Sequence, residues 1–567
     1  MTTVSSTGSS TSTSTASAFS TSSTSTTTTT SIDWDSLIDA AYQAKLAKAT
    51  EVDTTITANE AKITAYENGQ SLLQDLADAA NALRAPTGTT VASDDVFKSR
   101  TAYLTANGDV TASDVLSATV DDGSDIGSYE ITVSQLAKAE KVSSDTQTSR
   151  TTELAYDGVF SLAVDGGSTV DVTIDSGMTL DEVAEAINNT TDTSGVQASV
   201  IKVADSEYKL VLSASDTGKA ITATAVSGTD VLNKLGITNS TGAWANELQA
   251  SQDAIMSLDG VSVTRDSNDI DDLVDGVTFH LYQTTPTDTS VTVEVGTNLS
   301  TVETAVQSLV TAYNAYREYA VSQQATGSDG TASSDAVLYG DGTLRNINSE
   351  LGSALTATVN SLSMASIGLS FDDNNELVLD TTTLESALLD DLDNVKSLLT
   401  FQCTPSSSDL MLLARGDSTP ASFTLDISVD SSGSLSSVSV GGDTSLFTVS
   451  GSRIVGATGT AYEGLSFVYV GDTSQSISVT TSTGIAELLY NASDKAADTT
   501  DGNLQTLIDN LTDQDTTLQD RSDTLTARAE SYKETITSRY AKYQAAIQEA
   551  QSMLTYLKTL LQSSSSS

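Results

Sequence analysis

The sequence predicts an α+β multidomain protein with a terminal α-helical coiled-coil stalk, a helical bundle domain and antiparallel β head domains. Three observations lead to this prediction. Amphipathic helical patterns lie near both ends of the chain, and apolar and polar residues alternate through much of its middle, as they do in antiparallel strands. The length of 567 residues also exceeds what one hydrophobic core usually holds, so several domains are expected.

The N-terminal helical pattern follows residues 1–31, which are almost entirely Ser and Thr and are predicted to be a disordered tail. Ser31 and Asp33 are candidate helix caps, Gly69 is a candidate joint between two helices, and Pro86 should end the pattern. Apolar residues at spacings of three, four or seven define one face of a long helix: Val52, Ile56, Ile63, Tyr66, Leu73, Leu76, Ala80 and Leu83.

The C-terminal region carries the stronger helical signal. No Pro or Gly interrupts residues 503–562, and apolar residues recur there every seven positions, with one single-residue slip. This pattern predicts a coiled-coil helix of roughly 90 Å at about 1.5 Å per residue. The residues predicted to pack in it are Leu504, Leu511, Leu518, Leu525, Tyr532, Ile536, Tyr543, Ile547, Leu554, Leu557 and Leu561. Because each terminal helix needs a partner for its apolar face, the two are predicted to pair as a stalk.

Changes of pattern along the chain predict the domain boundaries. The predicted parts are a disordered tail (1–31), N-terminal coiled-coil and bundle helices (32–99), a β head domain (100–150 and 245–298) with an inserted β head module (151–244), a helical bundle domain with a β-hairpin (299–404), an inserted extra β-domain (405–482), the C-terminal coiled-coil helix (483–562) and a disordered Ser tail (563–567).

Composition excludes several classes of function. The chain has 75 acidic and 26 basic residues, a net charge of −49, which repels nucleic acids and anionic lipid surfaces. No segment approaches the roughly 18 consecutive apolar residues of a membrane span, so no membrane insertion is expected. The N-terminus lacks the basic and apolar regions of a Sec signal peptide, so an exported protein would need another route.

No catalytic, cofactor or metal site is predicted. Cys403 and His280 are the only residues of their types, so neither a disulfide within the chain nor a Cys/His metal site can form. No G-x-S-x-G motif is present, and no pair among the many carboxylates stands out for acid–base chemistry. The chain is therefore predicted not to be an enzyme.

Several motifs, in order, resemble one family. Residues 158–218 resemble the β-module of flagellin and of hook-associated proteins, with an Ala186-Ile187-Asn188 helix end followed by a Gly195-Val196-x-Ala198 strand. Residues 251–281, 338–355 and 366–401 resemble the flagellar filament-capping protein family, also called flagellar hook-associated protein 2. The matching positions in the first of these segments are Ala254, Asp259, Gly260, Asn268, Ile270, Asp272, Gly276, Val277, Thr278 and Leu281.

The resemblance implies a non-enzymatic homo-oligomer at the extracellular distal tip of the bacterial flagellar filament. There it would promote flagellin polymerisation and prevent flagellin loss, with exposed heads available for cell adhesion. The implied partners are flagellin and the filament end, the type III flagellar export apparatus and an export chaperone. The alternative is another exported flagellar hook-associated component or a surface adhesin. The heptad stripe is then either an intrachain core or, at its outer end, a contact with flagellin or neighbouring subunits.

Overall fold

The computed structural model describes residues 33–85, 95–416 and 419–565. The Ser/Thr-rich segment 1–31, Pro86 and the last two residues of the predicted Ser tail lie outside the described residues. The fold is α+β and multidomain, as predicted, with long terminal helices, further helices and several antiparallel sheets. None of the described helices contains an apolar stretch that is long enough to cross a membrane.

The longer helices lie mostly near both ends of the chain and in residues 299–399, and short helices lie among the strands. They are α1 (Trp34–Leu83), α2 (Ala112–Val115), α3 (Leu180–Asn188), α4 (Thr191–Ser194), α5 (Val231–Lys234), α6 (Leu299–Ser322), α7 (Gly342–Leu355), α8 (Thr381–Asp390), α9 (Leu392–Leu399), α10 (Ile485–Ala497) and α11 (Asn503–Ser565). Short 3-10 turns occur at Val96–Lys98 and Met364–Ile367.

The strands are short and pair in antiparallel fashion. They are β1 (Arg100–Asn107), β2 (Leu116–Val120), β3 (Gly127–Gln135), β4 (Lys141–Ser143), β5 (Gly158–Val164), β6 (Val170–Ile174), β7 (Val196–Ala204), β8 (Glu207–Ala214), β9 (Ile221–Gly228), β10 (Glu247–Gln249), β11 (Ala254–Leu258), β12 (Val261–Arg265), β13 (Asp269–Val274), β14 (Val277–Leu281), β15 (Ser290–Thr297), β16 (Leu369–Phe371), β17 (Leu377–Leu379), β18 (Gln402–Pro405), β19 (Leu410–Ala414), β20 (Ser422–Val429), β21 (Leu435–Ser439), β22 (Phe447–Ser450), β23 (Arg453–Gly456), β24 (Ser466–Tyr469) and β25 (Gln475–Ser482).

Helix α1 is a single element that begins with a side-chain cap. The carboxylate of Asp33 accepts a hydrogen bond from the backbone N–H of Ser36 at 3.1 Å, which satisfies one of the free donors of the first turn. The predicted joint at Gly69 is wrong, because α1 is continuous through this residue. A Cβ atom built on Gly69 would lie 3.2 Å from the Tyr319 ring, so glycine here allows α6 to approach closely.

The bundle domain is formed by one half of α1 together with α6–α10, the start of α11 and the β16–β17 hairpin. Its apolar core includes Leu73, Leu76, Val306, Leu309, Leu351, Leu384, Leu398, Leu489 and Leu504. The phenol of Tyr66 donates a hydrogen bond to the Asp341 carboxylate at 2.9 Å, and Asp341 also caps α7. Burial, together with this carboxylate, raises the pKa of Tyr66 well above its ordinary value, so the phenol remains the donor.

Two head domains project from the bundle. The first pairs a five-stranded sheet (β1-β15-β3-β11-β12) with a three-stranded sheet (β13-β14-β2), and apolar residues of both sheets form its core. The second pairs a four-stranded sheet (β10-β4-β8-β7) with a three-stranded sheet (β6-β5-β9). Helix α3 packs on this second core and begins with a reciprocal cap between Thr179 and Glu182.

The boundary predicted for the inserted head module at 151–244 is too narrow. Strands β4 and β10 lie outside that range, yet both belong to the module's four-stranded sheet, and Val142 is buried in its core. The two strands are only three residues long, which is too short for a pattern of alternation to reveal them. The extra β-domain consists of two four-stranded sheets, β18-β25-β20-β21 and β19-β24-β23-β22, around one apolar core.

The C-terminal region is two helices rather than the single helix predicted for 483–562. Residues 498–502 separate α10 from α11, where the Asp498 carboxylate accepts hydrogen bonds from the backbone N–H groups of Asp501 and Thr500. These bonds lower the pKa of Asp498 and hold the turn. Helix α11 then continues through Ser565, so the described part of the predicted disordered tail, residues 563–565, is helical.

A matched pair of glycine substitutions tests the packing of the bundle. A Cβ atom at Gly484 would lie 2.2 Å from the backbone carbon of Leu399, so Gly484→Ala is expected to destabilise the bundle by about 1–3 kcal/mol. Gly352 lies within α7 with open space around its Cβ position, so Gly352→Ala is expected to stabilise it by roughly 0.5–1 kcal/mol. Native-state hydrogen exchange of α6 and α7 measures both changes, and equal effects of the two would contradict this packing.

Candidate functional site

The stalk is an antiparallel pair of α1 and α11. At its outer end the rings of Trp34 and Tyr540 have centroids 5.1 Å apart. One turn further in, the Nζ atom of Lys533 lies 3.2 Å from a carboxylate oxygen of Asp39 and 4.7 Å from the ring centroid of Tyr42. As the residue number rises along α1, the number of the contacting residue on α11 falls by about the same amount. The register of the two helices is therefore constant along the pair.

Polar contacts inside the seam specify this register. The Ser522 hydroxyl donates to the Asp53 carboxylate at 2.5 Å, and the Asn59 amide donates to the Asp515 carboxylate at 2.7 Å. Asn59 and Ser522 are buried, at 7% and 4% exposure. A shift of the helices would leave buried polar groups without partners, which is costly, so such contacts fix register more than they add stability.

The predicted packing residues do not share one environment. Those nearer the bundle contact α1 or the bundle core: Leu504 is 1% exposed, Ile536 is 3% exposed, and Leu511, Leu518 and Leu525 are half-buried. Tyr532 is exposed at its edge, but Lys45 of α1 lies 5.3 Å from its ring centroid. In this part of α11 the heptad stripe faces α1.

Beyond Tyr540 none of the residues that the structure describes covers the stripe. We call residues 541–565 the overhang; its residues 541–564 are all exposed. Five predicted packing residues lie there: Tyr543, Ile547, Leu554, Leu557 and Leu561, which are 40–67% exposed. Three further apolar side chains that the heptad tracks did not include are also exposed in this segment: Met553, Tyr556 and Leu560. A continuous exposed apolar face of this kind indicates an interaction site.

The sequence that precedes α1 is poorly suited to pack on a large apolar face. Residues 13–31 are Ser and Thr apart from Ala16, Ala18 and Phe19. Small hydroxyl side chains cannot fill the spaces between large apolar ones, so this sequence offers no matching ridge.

The overhang also differs in charge from the rest of the molecule. Its ionisable side chains are Lys542 and Lys558 against Glu549 alone, whereas the whole chain has a net charge of −49. An apolar helical face with a slight positive charge favours a partner helix that has apolar and acidic side chains.

The sequence patterns already indicate that α11 is longer than the part of α1 that can cover it. The first helical pattern begins near Trp34, whereas the heptads of α11 continue to Leu561.

The other residues considered from the sequence do not form a comparable site. His280 bridges two strands: its Nδ1 lies 2.6 Å from Asp269 Oδ1 and its Nε2 lies 3.2 Å from Thr119 Oγ1 on the outer face of the β13-β14-β2 sheet. Burial raises the pKa of the Cys403 thiol to about 11, which keeps it protonated near neutral pH. Among the described residues, no three His, Cys, Asp or Glu side chains are grouped so as to hold a metal ion.

Family models match most of the chain. The model of the flagellar hook-associated protein 2 C-terminus matches residues 251–552, that of the flagellar hook-associated protein 2 N-terminus matches residues 30–140, and the flagellin hook IN motif matches residues 160–216. The last of these covers most of the inserted head module.

Curated relatives agree with these matches. Flagellar hook-associated protein 2 of Escherichia coli K12 is 29% identical over 385 residues, which are 65% of this chain and 78% of the relative. The B-type flagellar hook-associated protein 2 of Pseudomonas aeruginosa PAO1 is 25% identical over 390 residues, 65% of this chain and 79% of the relative. The crystal structure of the flagellar cap protein FliD D1-D2-D3 domains from Escherichia coli is 27% identical, covers 59% of this chain and 90% of that one, and has a TM-score of 0.43.

One pair of substitutions separates the two parts of α11. Ile536→Ala removes a buried side chain from the seam and is expected to cost about 2 kcal/mol or more in stalk stability. Ile547→Ala, the same change on the overhang, is expected to alter the stability of the free monomer by less than about 0.5 kcal/mol. The measurement is hydrogen exchange of α1 near Trp34–Lys45 in each variant. Equal losses of protection would show that the overhang is packed within the monomer.

Proposed function

This chain belongs to the flagellar hook-associated protein 2 family, and we propose that its overhang is the part that seats it on the distal end of the flagellar filament. As a member of that family it is a flagellar filament cap, located outside the cell at the filament tip. It acts there as an oligomer together with flagellin. Neither the adhesin alternative nor that of another hook-associated component is needed to account for the similarities.

The observation that carries the proposal is the change in burial along α11. Leu504 and Ile536 are buried against the chain's own helices, whereas Leu554 and Leu561 lie on the same helix and are more than half exposed. The inner seam therefore holds each stalk together, and the outer stripe remains available to another chain. The partner we propose is a helical surface with apolar and acidic side chains at the filament end, formed by flagellin subunits.

We infer that capping depends on mechanical contacts and not on catalysis. A stalk with a fixed register transmits the position of its outer end to the bundle and the heads, while the overhang can exchange one flagellin surface for the next as subunits add. His280, which lies on the outer face of a sheet, has no part in this mechanism.

We further propose the route by which the chain reaches the filament tip. Family membership supports passage through the type III flagellar export apparatus with the help of an export chaperone. The partition into stalk, bundle, two heads and an extra β-domain is proposed to persist in solution, since separate apolar cores hold these parts.

The overhang is tested by substitution in a motile bacterium whose own cap gene has been replaced by this one. Ile547→Ser, Leu554→Ser, Leu557→Ser and Leu561→Ser together remove the stripe, and loss of filaments with monomeric flagellin in the medium is expected. The matched control changes exposed polar residues of the same segment: Gln544→Ser, Gln548→Ser, Thr555→Ser and Thr559→Ser. It is expected to leave filaments of normal number and length in electron micrographs.

The amount of cap protein outside the cell separates the possible causes. A stripe variant that reaches the medium in normal amounts but supports no filaments has lost attachment, as proposed. Normal filaments with the stripe variant, at normal cap secretion, would overturn the role of the overhang and leave family membership untouched.

A further inference from the structure

The extra β-domain is joined to the bundle through a two-stranded neck. Strands β18 and β25 pair at the point where the chain enters and leaves the domain, with Gln402 opposite Ser482. Just below, Gly484 lies against the backbone of Leu399 and Thr400. Only these two chain segments join the four-stranded sheet to the bundle here, so the neck alone specifies the angle of the domain weakly.

A second contact between the domain and the helices is ionic and involves the first turn of α10, which follows the neck. Arg415, just beyond the end of β19, places its Nη1 atom 3.1 Å from Oε2 of Glu487 in α10. The other carboxylate oxygen of Glu487 lies 3.2 Å from Nη1 of Arg84, at the end of α1. Arg415 Nη1 also donates a hydrogen bond to the backbone carbonyl of Arg84 at 3.0 Å. One carboxylate thus joins the β-domain to the base of the stalk.

Each of the three side chains is buried, with 7% exposure for Arg415, 3% for Glu487 and 16% for Arg84. Buried charges need paired, well-aligned partners, and removal of one member leaves the others uncompensated. Burial lowers the pKa of Arg415, but an arginine remains charged at physiological pH even so. The charges also suit their positions, since Glu487 lies in the first turn of α10 and Arg84 caps the last turn of α1.

The domain presents Arg415 rigidly. The backbone of the next residue, Gly416, lies against the backbone of Glu463. A Cβ atom on Gly416 would lie 2.0 Å from the Glu463 carbonyl oxygen, so only glycine fits there. Gly464 is part of the same crossing and has a φ of 82°, a conformation that favours glycine. Arg415 therefore follows the β-domain as a rigid body.

The bundle holds Arg84 with equal firmness. Its Nε atom donates to the side-chain oxygen of Asn81 at 2.7 Å, and its guanidinium carbon lies 3.5 Å from the centroid of the Tyr490 ring. Beside the cluster lies a polar cleft of about 470 Å³, whose lining includes Asp494 and Asp498. These carboxylates add negative charge beside the two arginines.

We propose that Arg84, Glu487 and Arg415 form an ionic latch that sets the angle of the inserted β-domain on the base of the stalk. With the latch closed, the domain is held by two contacts, the neck and the ion pair of Arg415. With the latch open, it is fixed only at the neck and swings about it. This conformational role goes beyond filament capping and does not depend on the overhang.

The latch is tested by the distance between the β-domain and the stalk. Spin labels are placed at Ser437→Cys on β21 and Asn510→Cys on α11, both exposed, in a Cys403→Ser chain, and double electron–electron resonance gives the distance distribution. Arg415→Met, which keeps the Arg84–Glu487 pair, is expected to broaden the distribution by about twofold or more and shift its mean. Glu487→Gln, which weakens both pairs, is expected to do the same.

The matched control is Lys202→Met, which breaks the exposed ion pair with Asp205 in a head domain and should leave the distribution unchanged. Circular dichroism verifies that each variant is folded. If Glu487→Gln unfolds the bundle, the distance distribution of Arg415→Met alone tests the proposal. A distribution for folded Arg415→Met as narrow as that of the parent chain, with the same mean, would overturn the proposal.

Discussion

The antiparallel seam between α1 and α11 is the constraint on which the rest of the architecture depends. It brings together two segments that are more than 400 residues apart in the sequence, and buried polar pairs such as Asn59–Asp515 allow only one register. Because both ends of the described chain run through this seam, everything between them must project from the opposite end. The bundle lies at the base of the stalk. The heads and the extra β-domain are insertions between elements of the bundle, and each has its own core.

The same seam creates the functional asymmetry. Helix α11 is 63 residues long and α1 is 50, and the two are offset: Gln505, near the start of α11, contacts Gln70, which lies 13 residues before the end of α1. Because of this offset, α11 extends past Trp34 at the outer end by residues 541–565. An apolar face that a globular domain would bury is thereby left for another molecule. In the proposed function a buried seam and an exposed overhang are both required. The seam keeps the single chain folded, and the overhang provides the apolar surface that contacts the filament.

The sequence predicted the fold class and the apolar stripe, but it could not predict how the stripe is divided. Ile536 and Leu557 occupy equivalent heptad positions, yet one is 3% exposed and the other 49%. Hydrophobic periodicity shows that one face of a helix is apolar, but it does not show which partner covers that face. Gly69 resembled a helix break because glycine destabilises a helix, and this effect is visible in the sequence. The reason for glycine at this position is the close approach of the Tyr319 ring, which is visible only in the folded structure. The latch escaped prediction for the same reason, since Arg84, Arg415 and Glu487 come from three distant segments and share no motif.

Hydrogen–deuterium exchange along α11, with and without flagellin filaments, tests the central claim most directly. In the free monomeric chain, amides of residues 504–536 should be protected by the seam, whereas those of residues 543–561 should exchange rapidly, because an isolated helical overhang of this length is marginally stable in water. Addition of short filaments with uncapped ends should protect residues 543–561 and leave the seam unchanged. Strong protection of the overhang in the free monomer, or no gain on filament ends, would contradict the account.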